Sequence, residues 1–295
     1  MFWVCFKKVK NNNCRHSQRI ENILDYKNLI IDFIETYLDG NIENLRSFDI
    51  GELGRDRKFG KTTSSGFDAD DTVIVRAICF LVWKDRLPEL KVEQIGTGKY
   101  YRGDTLNSFH SLFGQKLPGK NKFKGVAKYT DEINFTNSVN KFYKTYRTMG
   151  NFMLLPNIPL EGSIKTINLH RGSCSWHDYF DRFLLELNCC FIDHENKNQV
   201  LTELIERNNF YFRHFHYDIK RICKVNFLEP YFNSGEVKQF FYPYKYHWEI
   251  KKPPTKFNKR EYISYANNYI NRATKIINYR ADKIISKLKS ELSCI

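Results

Sequence analysis

The residues with the clearest capacity for chemistry lie between positions 168 and 182. This segment holds two histidines, two arginines and two aspartates. We predict catalytic roles for four residues of it: His177, Asp178, Asp181 and Arg182. Histidine and aspartate can move protons or hold a divalent cation, and arginine can stabilise the charge of a phosphate. The alternative is structural, with Arg171 and Arg182 pairing with the aspartates to hold a helix in place.

Two strands and a helix are predicted to position this segment. Met149 to Pro156 is a short apolar run that opens with Gly150-Asn151 and ends in a proline, which is typical of a buried strand. Ile164 to Leu169 alternates and is predicted to pair back on it as a hairpin, which Arg171-Gly172-Ser173 ends. A helix is then predicted from about Ser175 to Asn188, since apolar residues recur at spacings of three and four. The polar residues would therefore gather at the N-terminus of a helix, where a phosphate is favoured.

A second set of residues is predicted to bind nucleic acid or phosphate: Arg102, Asp104, Asn107, Asn151, Asn168 and Arg171. Arg102 and Asp104 follow two Gly-x-Gly-like turns, and the backbone amides of such turns can approach an anion. The alternative is that Asp104 or Thr105 caps a helix that continues through Phe113.

Several motifs of this region are similar to those of a bacterial family of unknown function. Its members carry a Thr-Ile-Gly-Asn or Thr-Ile-Gly-Gly strand, an Ile-Asn-x-x-Arg-Gly turn and an Asp-Arg-Phe helix. The corresponding residues here are Thr148–Asn151, Ile167–Gly172 and Asp181–Phe183. The resemblance extends to Tyr101–Phe109 and to most of the chain after about residue 90. It implies a shared fold and carries no assigned activity.

A second, local resemblance implies nuclease chemistry. The run from Gly150 to Leu155, followed by Asn168, is similar to the HNH module at the end of some modification-dependent restriction enzymes. That module uses a histidine on its first strand as general base and further His or Asn groups to hold a metal, which implies Mg²⁺ or Mn²⁺ as cofactor. This chain departs from the pattern, because Ala127-Lys128-Tyr129-Thr130 occupies the place of that histidine.

A third resemblance is confined to one short motif. Arg207-Asn208 and His214 have the spacing found in HEPN ribonucleases, which cleave RNA across a dimer without a metal. The alternative is an aromatic core cluster, since Phe210-Tyr211-Phe212 lies inside the motif.

Composition narrows the class of partner. The net charge of +14 and the pI of about 9.3 favour an anionic partner such as nucleic acid, although an AT-rich genome also enriches lysine and asparagine. Between Gly114 and Arg147, eight basic residues are interleaved with aromatic residues, which suits single-stranded nucleic acid. Eight cysteines without a C-x-x-C pair indicate reduced thiols in a cytoplasmic protein. No apolar run approaches the length of a membrane span, so no membrane partner is predicted.

We predict a mainly α (α+β) fold, with a helical domain, a small β-hairpin element and a long C-terminal helix. Residues 1–252 form the main domain in this prediction, and residues 253–295 form the long basic helix packed on it, after Pro253-Pro254. The helices with the clearest periodicity are Ser17–Leu38, Asp68–Trp83, Asn134–Tyr146, Val200–Phe212, Asp218–Leu228 and Asn258–Leu292.

Together these features predict a cytoplasmic bacterial protein that binds nucleic acid and acts as a nuclease or RNase-like effector of phage defence. Two alternatives stay open. One is a non-catalytic protein that forms a homodimer through its C-terminal helix. The other is an enzyme acting on a small phosphorylated ligand bound by Arg102, Arg171 and Arg182.

Overall fold

The computed structural model describes residues 23–54, 56, 58–60, 69, 72–96, 98–101, 104–105, 113, 123–124, 126, 132–174, 180–192, 198–233, 236–237 and 258–293. Its α-helices are α1 (Ile23–Tyr37), α2 (Val73–Trp83), α3 (Ile133–Thr145), α4 (Ile167–Cys174), α5 (Phe180–Ile192), α6 (Gln199–Arg207), α7 (Asn209–His214), α8 (Ile219–Val225) and α9 (Lys259–Leu292). The short strands are β1 (Asp104–Thr105), β2 (Phe152–Met153), β3 (Phe232–Asn233) and β4 (Glu236–Val237). The predictions of a mainly α fold and of a long C-terminal helix are confirmed.

Helix α9 begins where its sequence predicts and packs against other helices of the same chain. Asn258 caps it, because the side chain of Asn258 accepts a hydrogen bond from the amide of Glu261 while the Glu261 carboxylate accepts one from the amide of Asn258. The first half of α9 joins α3 in one apolar cluster, and the second half joins α1 and α2 in a larger one. Its buried residues are Ala266, Tyr269, Ile270, Ala273, Ile276, Ile277, Arg280, Ala281, Ile284, Ile285 and Leu288.

Helices α3 and α9 run parallel and in register. Three contacts join them: Glu132 with Lys259 (3.4 Å between carboxylate and ammonium), Phe135 with Tyr262 (6.1 Å between ring centroids) and Phe142 with Tyr269 (5.6 Å). The three pairs have the same separation along the chain, so the two helices advance together. The paired aromatic residues recur every seven positions, as in the seam of a parallel coiled coil.

Two ion pairs join the 3-10 turn at Ile42–Arg46 to the C-terminal half of α9. The Lys289 ammonium lies 2.6 Å from a carboxylate oxygen of Glu43, and Arg46 pairs with Asp282. These exposed pairs each contribute little to stability. They do fix which face of α9 the 3-10 turn at Ile42–Arg46 covers.

The β-hairpin predicted within Tyr146–Leu187, which we call the central stretch, is wrong. Residues 167–174, expected to complete a strand and then break, form α4. Strand β2 pairs antiparallel with β1, so that Asp104 lies opposite Met153, and a separate tight hairpin joins β3 to β4. A run as short as Ile164–Leu169 fits the period of a strand and also the period of a helix, and the pattern of burial decides between the two. Ile167 and His170 are buried three positions apart, which is the spacing of a helix face.

Two predicted helices have different bounds in the structure, and two other predicted features lie outside the described residues. The helix predicted from Asp68 begins at Val73 as α2, and Thr72 caps it, since the hydroxyl oxygen of Thr72 accepts from the amide of Val75 at 3.3 Å. The helix predicted from residue 200 to residue 212 is interrupted at Asn208. Most of the helix expected to reach Phe113, and the domain boundary at Pro253, lie outside the described residues, so the two-part division stays a prediction.

Buried tyrosines predict a loss of stability at alkaline pH. Burial raises the pKa of Tyr26 to about 12 and raises the pKa of Tyr100 and Tyr211 still further above the ordinary value. In the unfolded chain these phenols ionise near pH 10, so unfolding releases protons above that pH and the free energy of unfolding falls as the pH rises. We expect a loss of about 1 kcal/mol per buried tyrosine near pH 11.

Urea unfolding followed by circular dichroism, compared near neutral pH and near pH 11, measures this loss. Tyrosinate absorbance is the control. Full tyrosinate absorbance in the folded protein near pH 11 would contradict the prediction, because these phenols should ionise only when the chain unfolds.

Candidate functional site

Helices α4 and α5 carry a buried charge cluster, defined by His170, Arg171, Asp181, Arg182 and Glu186. All five residues are at most 4% exposed. Bringing this many ionisable groups out of water costs free energy, which their mutual contacts must offset. Such clusters serve either to hold elements together or to perform chemistry, and this one is our candidate site.

One carboxylate in the cluster links three helices. The Glu186 Oε2 atom on α5 lies 3.3 Å from Nε2 of His170 on α4. The Glu186 Oε1 atom accepts a hydrogen bond from Nδ2 of Asn198 at 2.7 Å. Asn198 in turn caps α6, since its Oδ1 accepts from the amide of Leu201 at 3.1 Å. The imidazole is thereby placed against a carboxylate that is itself held, which is the arrangement that orients a proton-transferring histidine.

The guanidinium of Arg171 is held from both helices. One of its terminal nitrogens donates to Oδ1 of Asn168 at 3.0 Å, one helical turn earlier on α4. Its central carbon lies 5.8 Å from the ring centroid of Phe180, the first residue of α5. On α5, Arg182 stands four residues before Glu186 and so shares its face. The side chains of Arg171, Arg182 and His170 are of the kind that binds phosphate, but here they are buried and a large ligand cannot reach them.

The structure places only part of the predicted site. Asn168, Arg171, Asp181 and Arg182 lie on α4 and α5, within one pair of contacting helices. The backbone of Asp104 lies in β1 beside the central stretch. Asn151 is fully buried, and its Nδ2 donates to the carbonyl of Tyr146 at 2.8 Å, so it holds its own segment. The remaining candidates, His177, Asp178, Arg102 and Asn107, lie outside the described residues.

At 1% exposure, Asp181 and Arg182 present almost no surface to a polymer. A contribution of either residue to chemistry on nucleic acid would act through neighbouring groups. The predicted catalytic roles stay predictions.

Asn208 of the HEPN-like motif is buried and serves packing, whereas Arg207 and His214 are exposed. Nδ2 of Asn208 donates to the carbonyls of Ile158 and Leu204, and its Oδ1 accepts from the amide of Ile158, all at 2.8 to 2.9 Å. Arg207 donates to the carbonyl of Pro159 at 3.3 Å. Because the helix is interrupted between Arg207 and His214, the motif does not lie on one continuous helix. The packing alternative is the one that fits.

A residue that sequence reasoning missed holds the central stretch in place. Arg280 on α9 is fully buried and donates to three backbone carbonyls, those of Asn226 (3.1 Å), Phe152 (2.9 Å) and Gly150. Its guanidinium also lies 6.0 Å from the ring of Trp83 on α2. Burial lowers the pKa of Arg280 to about 10, which leaves the group protonated at neutral pH.

Glu186 was missed in the same way as Arg280. Both stand at helical spacing among buried apolar residues, and a charged residue in an apolar stripe is the signal that identifies them.

A family model matches residues 81–284, more than half of the chain, and is described as a family of unknown function (DUF6994). The chain belongs to this family. The DUF6994 match covers α3 to α8, the buried charge cluster and Arg280, and it leaves α1 outside. It agrees with the resemblance to a family of unknown function and gives no support to the HNH resemblance. No curated protein and no solved structure matches the chain.

The described part of this DUF6994 member contains no group of three His, Cys, Asp or Glu side chains placed to hold a metal ion. His177 and Asp178, two of the predicted catalytic residues, are not in that part. Nor does any helix of the described residues have the length and apolar character needed to cross a membrane.

Proposed function

We propose that this protein binds nucleic acid through basic residues that face solvent. The chain has a net charge of +14. Exposed lysines and arginines lie on several of its helices, among them Lys141 and Lys144 on α3, Lys220, Arg221 and Lys224 on α8, and Lys275 and Lys283 on α9. This outward placement is the observation that carries the proposal, because exposed cations are the groups that meet a phosphate backbone.

The exposed face of α9 is also better suited to bind an anion than to pack against a second helix. A coiled coil requires an apolar seam, and the apolar residues of α9 are buried within the chain. Between residues 264 and 278, the exposed residues of α9 are polar or basic: Ser264, Asn268, Asn271, Lys275 and Asn278. Self-association through α9 is therefore the weaker candidate.

We further propose that the protein cleaves the bound nucleic acid, as an RNase-like effector of phage defence would. The His170–Glu186 contact supports it, since a histidine held by a carboxylate is suited to proton transfer. Arg171 and Arg182 are buried in the same cluster and would act on the reaction through neighbouring groups. The same groups also fit a small phosphorylated ligand, which the experiment below separates from nucleic acid.

We expect the purified protein to bind labelled RNA or DNA tightly at low salt. Fluorescence anisotropy with single- and double-stranded oligonucleotides, titrated over a range of KCl, measures this. The logarithm of Kd should rise linearly with the logarithm of the salt concentration, with a slope of about 0.7 to 0.9 for each phosphate contacted. Absence of binding at the lowest salt would refute the proposal, and competition only by inorganic phosphate or mononucleotides would favour the small ligand.

A cleavage assay on the same oligonucleotides, with Mg²⁺, Mn²⁺ or EDTA, tests the proposal that the protein cleaves nucleic acid. Asp181→Asn keeps the shape of its side chain, Arg182→Lys keeps its charge, and Lys91→Gln is an exposed control. Cleavage that is lost in the folded cluster variants and kept in the control supports chemistry at the cluster. Cleavage unchanged in all three places the chemistry elsewhere.

A further inference from the structure

We infer that the turn between α7 and α8 is the surface that contacts nucleic acid, and that it takes a single strand. The inference rests on the proposed function and names the site for it. We call this surface the basic turn and define it by seven exposed residues: Arg213, His214, His216, Tyr217, Lys220, Arg221 and Lys224.

Positive charge dominates the basic turn. The one acid between residues 213 and 224 is Asp218, and its carboxylate is used to cap α8. Its Oδ1 atom accepts from the amides of Lys220 (2.8 Å) and Arg221 (3.4 Å). Lys220 and Lys224 stand four residues apart on one face of α8 and pair with no acidic side chain among the described residues. Their charges are therefore available to phosphates.

The turn is anchored from beneath. Phe215 and Ile219 are 3% and 5% exposed, and Ile222 is 2% exposed, so buried residues at spacings of four and three fasten the turn to the core. The amide of Tyr217 donates to the carbonyl of Phe212 at 3.0 Å. A surface held in this way loses little conformational entropy when it binds.

The backbone of the turn is strained. His216 and Tyr217 adopt φ values of 54° and 53°, a left-handed conformation that is unfavourable for a non-glycine residue. This conformation turns two successive ring-bearing residues toward solvent. Strain of this kind persists where the surrounding structure enforces it, as the anchoring residues do here.

Tyr217 is an aromatic residue fixed at the surface. Its hydroxyl donates to Oδ1 of Asn209 at 2.6 Å, and its ring meets that of Phe191 edge to face with centroids 5.8 Å apart. The residue is nevertheless 40% exposed. A rigid ring beside lysines can stack on a base, and only a single strand offers unpaired bases for stacking.

The first test compares two double variants with the same change in charge. Lys220→Glu with Lys224→Glu alters the basic turn, and Lys91→Glu with Lys165→Glu alters two exposed lysines outside it. We expect the first pair to weaken binding of labelled oligo(dT) and oligo(U) by about tenfold or more at low salt and to reduce the salt slope by about 0.7 for each lost contact. The second pair should stay within about twofold of wild type, because its lysines lie outside the proposed contact surface.

The second test addresses stacking. Tyr217→Phe keeps the ring, and Tyr217→Leu removes it. Stacking predicts that the leucine variant loses about fivefold or more in affinity for the single strands, while the phenylalanine variant stays close to wild type. Circular dichroism and thermal unfolding establish that each variant is folded.

The outcomes separate the inference from the function it rests on. Equal losses in the two double variants would mean diffuse attraction to net charge and would overturn the basic turn, leaving nucleic-acid binding intact. Tighter binding of duplex than of single strands, or no difference between Tyr217→Leu and Tyr217→Phe, would overturn the single-strand assignment. No binding by the wild-type protein at low salt would overturn both proposals.

Discussion

Replacing Arg280 by leucine is expected to lower the free energy of unfolding by about 3 to 5 kcal/mol, the range seen when one partner of a buried charged interaction is removed. Leucine fills much of the same volume, so the loss comes mainly from hydrogen bonds rather than from a cavity. The carbonyls of Gly150, Phe152 and Asn226 would each lose their donor at the centre of the chain. A buried polar group left without a partner costs about 1 to 3 kcal/mol.

Two other variants make the Arg280 result interpretable. Lys275→Leu changes the same helix on its exposed face and should alter stability by no more than about 0.5 kcal/mol. Arg280→Lys keeps the charge but cannot reach three carbonyls in different directions, so its stability should lie between leucine and wild type. Urea unfolding by circular dichroism measures all three. If Arg280→Leu proved as stable as Lys275→Leu, Arg280 would not hold the central stretch against α9.

Replacing Gly150 by alanine is expected to cost at least about 3 kcal/mol, at the upper end of what overpacking produces. A Cβ atom on residue 150 would lie 2.1 Å from the carbonyl oxygen of Ile277 and 3.1 Å from Cβ of Ala281. The obstacle is the backbone of α9, which cannot rotate aside as a side chain could. Helix α9 would have to move away from the turn at Met149–Asn151, which would also stretch the bonds of Arg280.

Gly162 is the matched control for Gly150. It has a φ of +65°, and a Cβ atom added to it would meet no described atom within 4 Å, so Gly162→Ala adds only backbone strain of about 1 kcal/mol. Thermal and urea unfolding compare the two alanine variants. Because Gly150 and Arg280 share one contact, the double variant Gly150→Ala with Arg280→Leu should lose less than the sum of the single losses. Equal stability of the two alanine variants would contradict the close approach of α9.

Part of the candidate site could be identified from residue types alone. Asn168, Arg171, Asp181 and Arg182 stand out as polar residues between apolar runs, and they do lie together on α4 and α5. Glu186 joins them only because α4 folds back as a helix and brings His170 to within 3.3 Å of it. With Ile164–Leu169 interpreted as a strand, His170 has no predicted position relative to α5.

The long helix α9, the amphipathic helices α3 and α5 and the excess of positive charge could be predicted from the sequence. These are local or additive properties, set by periodicity and by composition. The parallel packing of α3 on α9, the pairing of β1 with β2 and the burial of Arg280 became evident only in the folded chain. Each of these depends on contacts between residues more than forty positions apart, where no local pattern records which partner covers which face.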